Sequence, residues 1–269
     1  MKKISFIGAG NMAGALLKGL LAAKLYRPQD MLVSDIVPAQ LKKIKRAYQV
    51  DGLNDNRAVV RNAQTIVLAV KPQIIDQVLA NLQPEVTKEK LFISIAAGVP
   101  LRRLENGLGG NARVVRVMPN TPALLGKGIA VVVRGRKAKP QDEKLALTLF
   151  RGVGEALAVK DEGLMDPVTG LSGSGPAYVY LFAEALIAGG VQEGLSPAVA
   201  ARLTLQTIEG AVAMLKETGR SPKELRDMVT SPGGTTLAGL SFLAQGKFAE
   251  TVAGAVSAAT HRSKELGQE

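Results

Sequence analysis

Lys3-Ile4-Ser5-Phe6-Ile7-Gly8-Ala9-Gly10-Asn11-Met12-Ala13 sets a short β-prone run directly before G-x-G-x-x-A, and a stretch of helical periodicity follows. That order of strand, glycine turn and helix decides how the amino-terminal part is read. Gly8 permits a tight turn, Gly10 lets backbone approach a pyrophosphate, and Ala13 lets the helix pack close on the strand. The N–H groups that open the helix then face the anion. An ordinary strand-to-helix turn uses similar residues, so the motif draws its force from context. Gly8, Ala9, Gly10, Asn11, Met12 and Ala13 are the candidate dinucleotide contacts.

Outward from this stretch, β-rich runs recur at 31–34, 66–70, 91–95, 114–117 and 129–133, with a last one at 156–159. Helical patterns such as 12–24 and 39–48 lie between them. Strand runs this apolar are buried on both faces, which predicts a parallel sheet covered by helices. After Asp161 the strand signal stops, and helices are predicted at 174–189, 196–218, 222–228, 235–244 and 248–266. Ser196-Pro197 and Ser221-Pro222 each place a capping hydroxyl before a first-turn proline. The expected organisation is an α/β dinucleotide-binding domain over 1–160 and an all-α domain over 161–269.

The ends of parallel strands are where an open sheet binds ligands. Ser34 and Asp35 close the second run, and an acid there ordinarily accepts bonds from ribose hydroxyls and repels a 2′-phosphate; a turn cap is the alternative reading. No arginine follows Asp35, although Lys42 and Lys43 lie on the next helix. The balance leans to NADH over NADPH. Ala69, Val70, Lys71 and Pro72, then Ala96, Ala97 and Gly98, then Asn120 occupy later strand ends. They are candidates for a wall around ribose and nicotinamide.

Two strings in the second part are dense in glycine and hydroxyls, 166–178 and 228–240. Ser231-Pro232-Gly233-Gly234-Thr235-Thr236 enters a helix with free N–H groups and two hydroxyls, a composition suited to a carboxylate. Val229, Ser231, Gly233, Gly234, Thr235 and Thr236 are the candidate substrate contacts; a capped helix start is the plainer reading.

Composition narrows the chemistry. The 269 residues include no cysteine and one histidine, His261, which removes disulfides, thiolate metal sites and a cysteine nucleophile. His261 is expected to be structural or solvent-facing. The net charge is +11, with 26 basic and 11 acidic residues in 1–160 against 8 and 12 in 161–269. An anionic partner for the first part follows. Aromatics are 4% with no Trp, a poor supply for stacking bases, so nucleic acid is not expected. The cluster Arg134, Arg136, Lys137 and Lys139 reads as a solvated loop. The apolar stretch 177–190 carries Glu184 and falls short of the ~20 residues of a spanning helix. Lys2 and Lys3 before an apolar run mimic a leader, but Asn11 and Lys18 interrupt it. A mature, cytoplasmic chain is expected, with no membrane contact. Helices apolar on several faces, as at Ala183, Ala185, Leu186, Ile187 and Ala188, must be enclosed by others, in a monomeric bundle or, the favoured reading, at a dimer interface.

These strings together resemble the pyrroline-5-carboxylate reductase family, nearly end to end. They are the fingerprint, A-V-K-P-Q at 69–73, A-A-G at 96–98, M-P-N-T-P at 118–122, T-G-L-S-G-S-G-P-A-Y at 169–178 and V-T-S-P-G-G-T-T at 229–236. Two positions depart. Ala244 stands where the signature often ends in a polar residue, and Asp35 replaces the Asn/Ser-Arg type of pair found beside an NADPH phosphate. The resemblance implies reduction of the cyclic imine Δ1-pyrroline-5-carboxylate to L-proline by NADPH or NADH without metal. It also implies a Rossmann-type parallel-sheet domain followed by a helical dimerisation domain. Active sites would form between one subunit's cofactor domain and its partner's helical domain, with homodimers assembling to decamers of five dimers. Thr169, or a water it orients, is the candidate proton donor to the imine nitrogen; a helix-capping hydroxyl is the alternative. A related reductase acting on another small acid, and a non-catalytic nicotinamide-dependent sensor, are the competing functions.

Overall fold

The computed structural model describes residues 2–268. The described residues form two compact units, 2–174 with 257–268, and Gly175–Val256. The first is built on eight strands: β1 (Lys2–Ile7), β2 (Met31–Ser34), β3 (Asp51–Leu53), β4 (Ala63–Leu68), β5 (Leu91–Ser94), β6 (Arg113–Met118), β7 (Gly128–Arg134) and β8 (Gly154–Ala158). Its helices are α1 (Asn11–Ala22), α2 (Pro38–Tyr48), α3 (Asn56–Arg61), α4 (Ile75–Leu82), α5 (Leu101–Gly107), α6 (Pro140–Arg151) and α7 (Met165–Val168). The strand order is β3-β2-β1-β4-β5-β6-β7-β8.

Every residue of β2 and of β5 is buried, as expected of strands covered on both faces. Alternation across the pleat sends neighbours into different cores. Ile93 joins Phe6, Leu16, Leu20 and Phe150 on one face, while Phe92 joins Ile66, Ile75, Leu79 and Leu104 on the other. The β1–β2 register pairs Ile4 with Met31 and Ile7 with Ser34, so both strands end at one edge.

Two features of the sheet differ from the sequence reading. β3 pairs in parallel with β2, Leu32 opposite Asp51, although Asp51-Gly52-Leu53 has no apolar run to signal it. β7 runs antiparallel to β6, and β8 is parallel to β7, so the sheet is mixed. Residues 119–127 between β6 and β7 hold only a 3₁₀ turn, Thr121–Leu125. A parallel crossover needs roughly a dozen residues or more.

The compact units also divide at a different place from the change of secondary structure near 160. Met165 of α7 is fully buried in the sheet core. Ser263 Oγ donates to Asp166 Oδ1 at 2.7 Å, and Leu266 lies over Gly98. These contacts bring α7 and the chain's last turns into the sheet unit.

The helical unit contains α8 (Gly175–Gln192), α9 (Pro197–Glu217), α10 (Pro222–Met228), α11 (Thr235–Gln245) and the start of α12 (Phe248–Gln268). The Ser-Pro starts behave as read. Ser196 Oγ accepts from the Val199 N–H, and Ser221 and Glu224 form a reciprocal capping box. No residue of α8, α10 or α11 is buried. α9 is long and apolar enough to cross a membrane by length and composition, with 11% of its 18-residue window buried. Arg202 and Glu209 interrupt the α9 run without lowering its mean hydropathy below the spanning range.

Candidate cofactor and substrate site

The fingerprint loop is laced to three strand ends. The Gly8 N–H donates to Ser34 O at 2.8 Å, and the Ala69 N–H donates to Ile7 O at 2.8 Å. Gly8 has φ +99°, and a Cβ there would stand 2.5 Å from Ala69 O. Any side chain would be strained as well as crowded. Ala69 and Val70 therefore wall the fingerprint loop itself, whereas Lys71 is exposed at the start of a 3₁₀ turn that opens with Pro72.

Gly10 is the N-cap of α1. No side chain caps this end, the first turn holds no acid, and a Cβ on Gly10 would meet nothing within 4 Å. Ala9 and Ala13 are buried, Met12 is half-buried and Asn11 is exposed. Open N–H groups beside open space are what a pyrophosphate needs. A cavity of about 200 Å³ adjoins Gly10 and Asn11, with Lys18 and Lys43 in its walls.

Asp35 stands at this edge with its carboxylate already engaged. Oδ2 accepts from the Ala9 N–H and Oδ1 from the Val37 N–H, both at 2.8 Å. The turn-capping reading holds, and the fixed negative charge sits directly on the fingerprint. Each oxygen keeps a lone pair for a ribose hydroxyl. Ser34 is fully buried and donates to Asn56 Oδ1 at 2.6 Å. Asn56 was not among the sequence candidates. Its amide nitrogen has no partner among the described residues, and only its position just past the end of β3 could have marked it.

The 96–98 segment turns inward. Ala96 is buried, and Gly98 has φ +73° with Leu266 Cβ 3.0 Å from where its own Cβ would be. Gly98 serves contact with the carboxy-terminal helix, which leaves the half-buried Ala97 as the open residue of the three. The Asn120 carboxamide is engaged with backbone on both sides. Its Nδ2 donates to Ser172 O at 3.1 Å and its Oδ1 accepts from the Ile129 N–H at 3.0 Å.

Thr169 lies in a π-helical turn, Thr169–Gly173, closed by the Ser174 N–H donating to Thr169 O at 2.9 Å. Such bulges recur at functional sites. The Thr169 hydroxyl donates to Met165 O at 2.8 Å, so its proton is held by backbone and its lone pairs are what it offers. The Met118 methyl packs against Gly173, in the space a Cβ there would take.

The 229–236 string belongs to the helical unit and is described within it. Gly234 is the N-cap of α11, which has no side-chain cap and no acid in its first turn. Gly233 has φ +72°, a conformation that favours glycine, and Gly234 lies close against the Ser231 hydroxyl. The Thr235 and Thr236 hydroxyls have no partner among the described residues. Val229 is 66% exposed, and the segment is open to solvent. His261 is exposed on α12.

Residues 162–266 match the family model described as pyrroline-5-carboxylate reductase dimerisation. Residues 3–98 match one described as NADP oxidoreductase, coenzyme F420-dependent. The pyrroline-5-carboxylate reductase of Methanosarcina acetivorans is 45% identical over 99% of this chain and 98% of its own. A solved pyrroline-5-carboxylate reductase from Coxiella burnetii superposes with a TM-score of 0.91 at 39% identity, covering 98% of each chain. That from Plasmodium falciparum, with NADP bound, gives 0.90 at 36% identity over 99% of this chain and 98% of its own. The bare helical faces are thus those of a self-associating domain, and the amino-terminal part is a nicotinamide-cofactor domain: the chain belongs to the pyrroline-5-carboxylate reductase family.

Proposed function

We infer that the chain reduces Δ1-pyrroline-5-carboxylate to L-proline, with 1–160 binding the nicotinamide cofactor and 161–269 forming a homodimer and holding the substrate. The observation that carries this reading is the uncapped start of α1 beside the side-chain-free space at Gly10. The residues present fit the cofactor's pyrophosphate. When bound, the cofactor supplies a hydride; the imine carbon takes it and the ring nitrogen ends as an amine, with one proton added in all.

The protein's part is positioning, worth ~7–11 kcal/mol when reacting atoms are well aligned. The uncapped first turn of α11 and the Thr235 and Thr236 hydroxyls supply donors for the substrate carboxylate. The lone pairs of Thr169 Oγ1 hold the N–H of the protonated imine or a water that carries the proton. Asp35, fixed on the fingerprint and followed by Ile36 rather than an arginine, favours NADH over NADPH.

Steady-state oxidation of NADH and NADPH with pyrroline-5-carboxylate tests both statements. Turnover with NADH at an efficiency equal to or above that with NADPH is expected. No turnover with either cofactor overturns the activity. A preference for NADPH above about tenfold, ~1.4 kcal/mol, overturns the cofactor assignment and points to Lys42 or Lys43 as the phosphate's partner.

A further inference from the structure

Asn120 occupies the N-cap of the 3₁₀ turn Thr121–Leu125, yet its side chain makes no capping bond there. An asparagine at such a position ordinarily turns its carboxamide onto the following N–H groups. Here the carboxamide bridges two other segments. It accepts from the Ile129 N–H at the start of β7 and donates to Ser172 O in the π turn.

The Ser172 carbonyl has a specific need for that donor. In a regular helix it would accept from the residue four places on, and that residue is Pro176, which has no N–H. The Ser172 hydroxyl is itself turned away, donating to Val168 O at 3.0 Å. The Met118 methyl at the end of β6 packs against Gly173, in the space a Cβ there would take. The π turn that bears Thr169 is therefore pinned to the carboxyl end of the sheet by one side-chain amide, with the Met118 methyl packed against it.

We propose that Asn120 is a positioning residue for the reduction: it contacts neither reactant, but fixes the π turn so that Thr169 meets the imine nitrogen. The inference rests on the activity argued above. Misplacement of a reacting group by about 1 Å can cost ~10²-fold in rate. Loss of the Asn120 donor would therefore act on turnover rather than on cofactor binding, because the fingerprint is held by its own bonds to β2 and β4.

The test compares Asn120→Asp and Asn120→Ala with the wild-type enzyme, measuring kcat and KM for the imine, the dissociation constant of NADH, and Tm. Asn120→Asp keeps the shape and the acceptor for Ile129 but, when ionised, cannot donate to Ser172. The expected result is a fall in kcat of about 10- to 100-fold, with NADH affinity within twofold of wild type. The protonated carboxyl regains an O–H donor, so the deficit of Asn120→Asp relative to wild type at the same pH should narrow from pH 8 to pH 5. Asn120→Ala should show the same deficit with no such recovery. A kcat within twofold of wild type in both variants overturns the proposal. So does a loss shared equally by kcat, NADH affinity and Tm with no pH-dependent recovery, the mark of a merely structural bond. Absence of turnover in the wild type would instead overturn the activity itself, while turnover there with unchanged variants isolates the failure to Asn120.

Discussion

In the sheet unit Phe6, Phe92 and Phe150 are at most 1% exposed, whereas in the helical unit Phe242 is 76% exposed and Leu181 66%. The sheet has the period and the covering helices to close its own core. The helices carry similarly apolar side chains on too many faces for one chain to cover. Bare apolar surface of this extent marks an association face, in accord with the match of 162–266 to a dimerisation family. On this reading one unit's stability is internal, and the other's should depend on concentration.

The strongest way to break that contrast is Leu181→Glu. At an association face it places one unpaired charge per subunit in an apolar setting, and an uncompensated buried charge costs ~3–5 kcal/mol. The variant should scatter light as a single 28.2 kDa chain at micromolar concentration and lose its turnover. A fully associated, active variant would show that α8 faces solvent in the assembly.

Phe92→Ala probes the closed unit. Truncating a fully buried phenylalanine costs ~3–5 kcal/mol, through lost transfer energy and a residual cavity. Denaturant unfolding of the sheet unit should show this loss at every protein concentration used. A loss that grows on dilution would mean that the sheet core is coupled to association after all.

Thr236→Val sharpens the contrast at the site. It keeps the shape of the α11 start and removes one proposed donor to the substrate carboxylate, a charge-assisted bond worth ~1.5–3 kcal/mol. The kcat/KM for the imine should fall about 10- to 150-fold while NADH affinity holds, because the fingerprint lies in the other unit. An unchanged kcat/KM would make Thr236 a cap only.

The smallest effect belongs to the sheet unit's surface. The Arg103 guanidinium, bidentate on Asp76 at 2.9 and 2.6 Å, holds its carboxyl below the usual range. A lowered carboxyl contributes stability that is present above its unfolded value, near pH 4, and is lost as pH falls through the lowered folded value. Asp76 is 63% exposed, so screening keeps the pair below ~1 kcal/mol. Asp76→Asn should flatten the stability profile below pH 4 and leave the light-scattering mass unchanged. A shift in mass would place this pair at an interface.

The legible parts of the site were those in which a residue's type answers to backbone alone. Gly8 is required by its positive φ and by Ala69 O, and both follow from a strand–turn–helix that the sequence displays. The Ser-Pro helix starts and the Gly233-Gly234 turn are local in the same sense. Asn120 and Gly98 sit at strand ends, and their sequence context suggests a ligand wall but not the contacts they make. Their partners, Ser172 and Leu266, are distant in sequence, and no pattern near 98 or 120 points to them. Asn56 escaped for the same reason, its link to Ser34 crossing from one strand end to another.

The sequence by itself determined the alternation of buried strands and helices, the cofactor turn, the change to helices after Asp161 and the family. Those depend on period, on glycine and proline, and on neighbours a few residues apart. Only the tertiary structure decided that β7 reverses against β6, that β3 exists, and that α7 and the last turns of α12 join the sheet unit. It also decided that Asp35 and Asn120 are tied to backbone. Strand direction follows from how far a connection can reach, and a side chain's role from which donor lies opposite it. Both are set by contacts between segments remote in the chain, which no local pattern encodes.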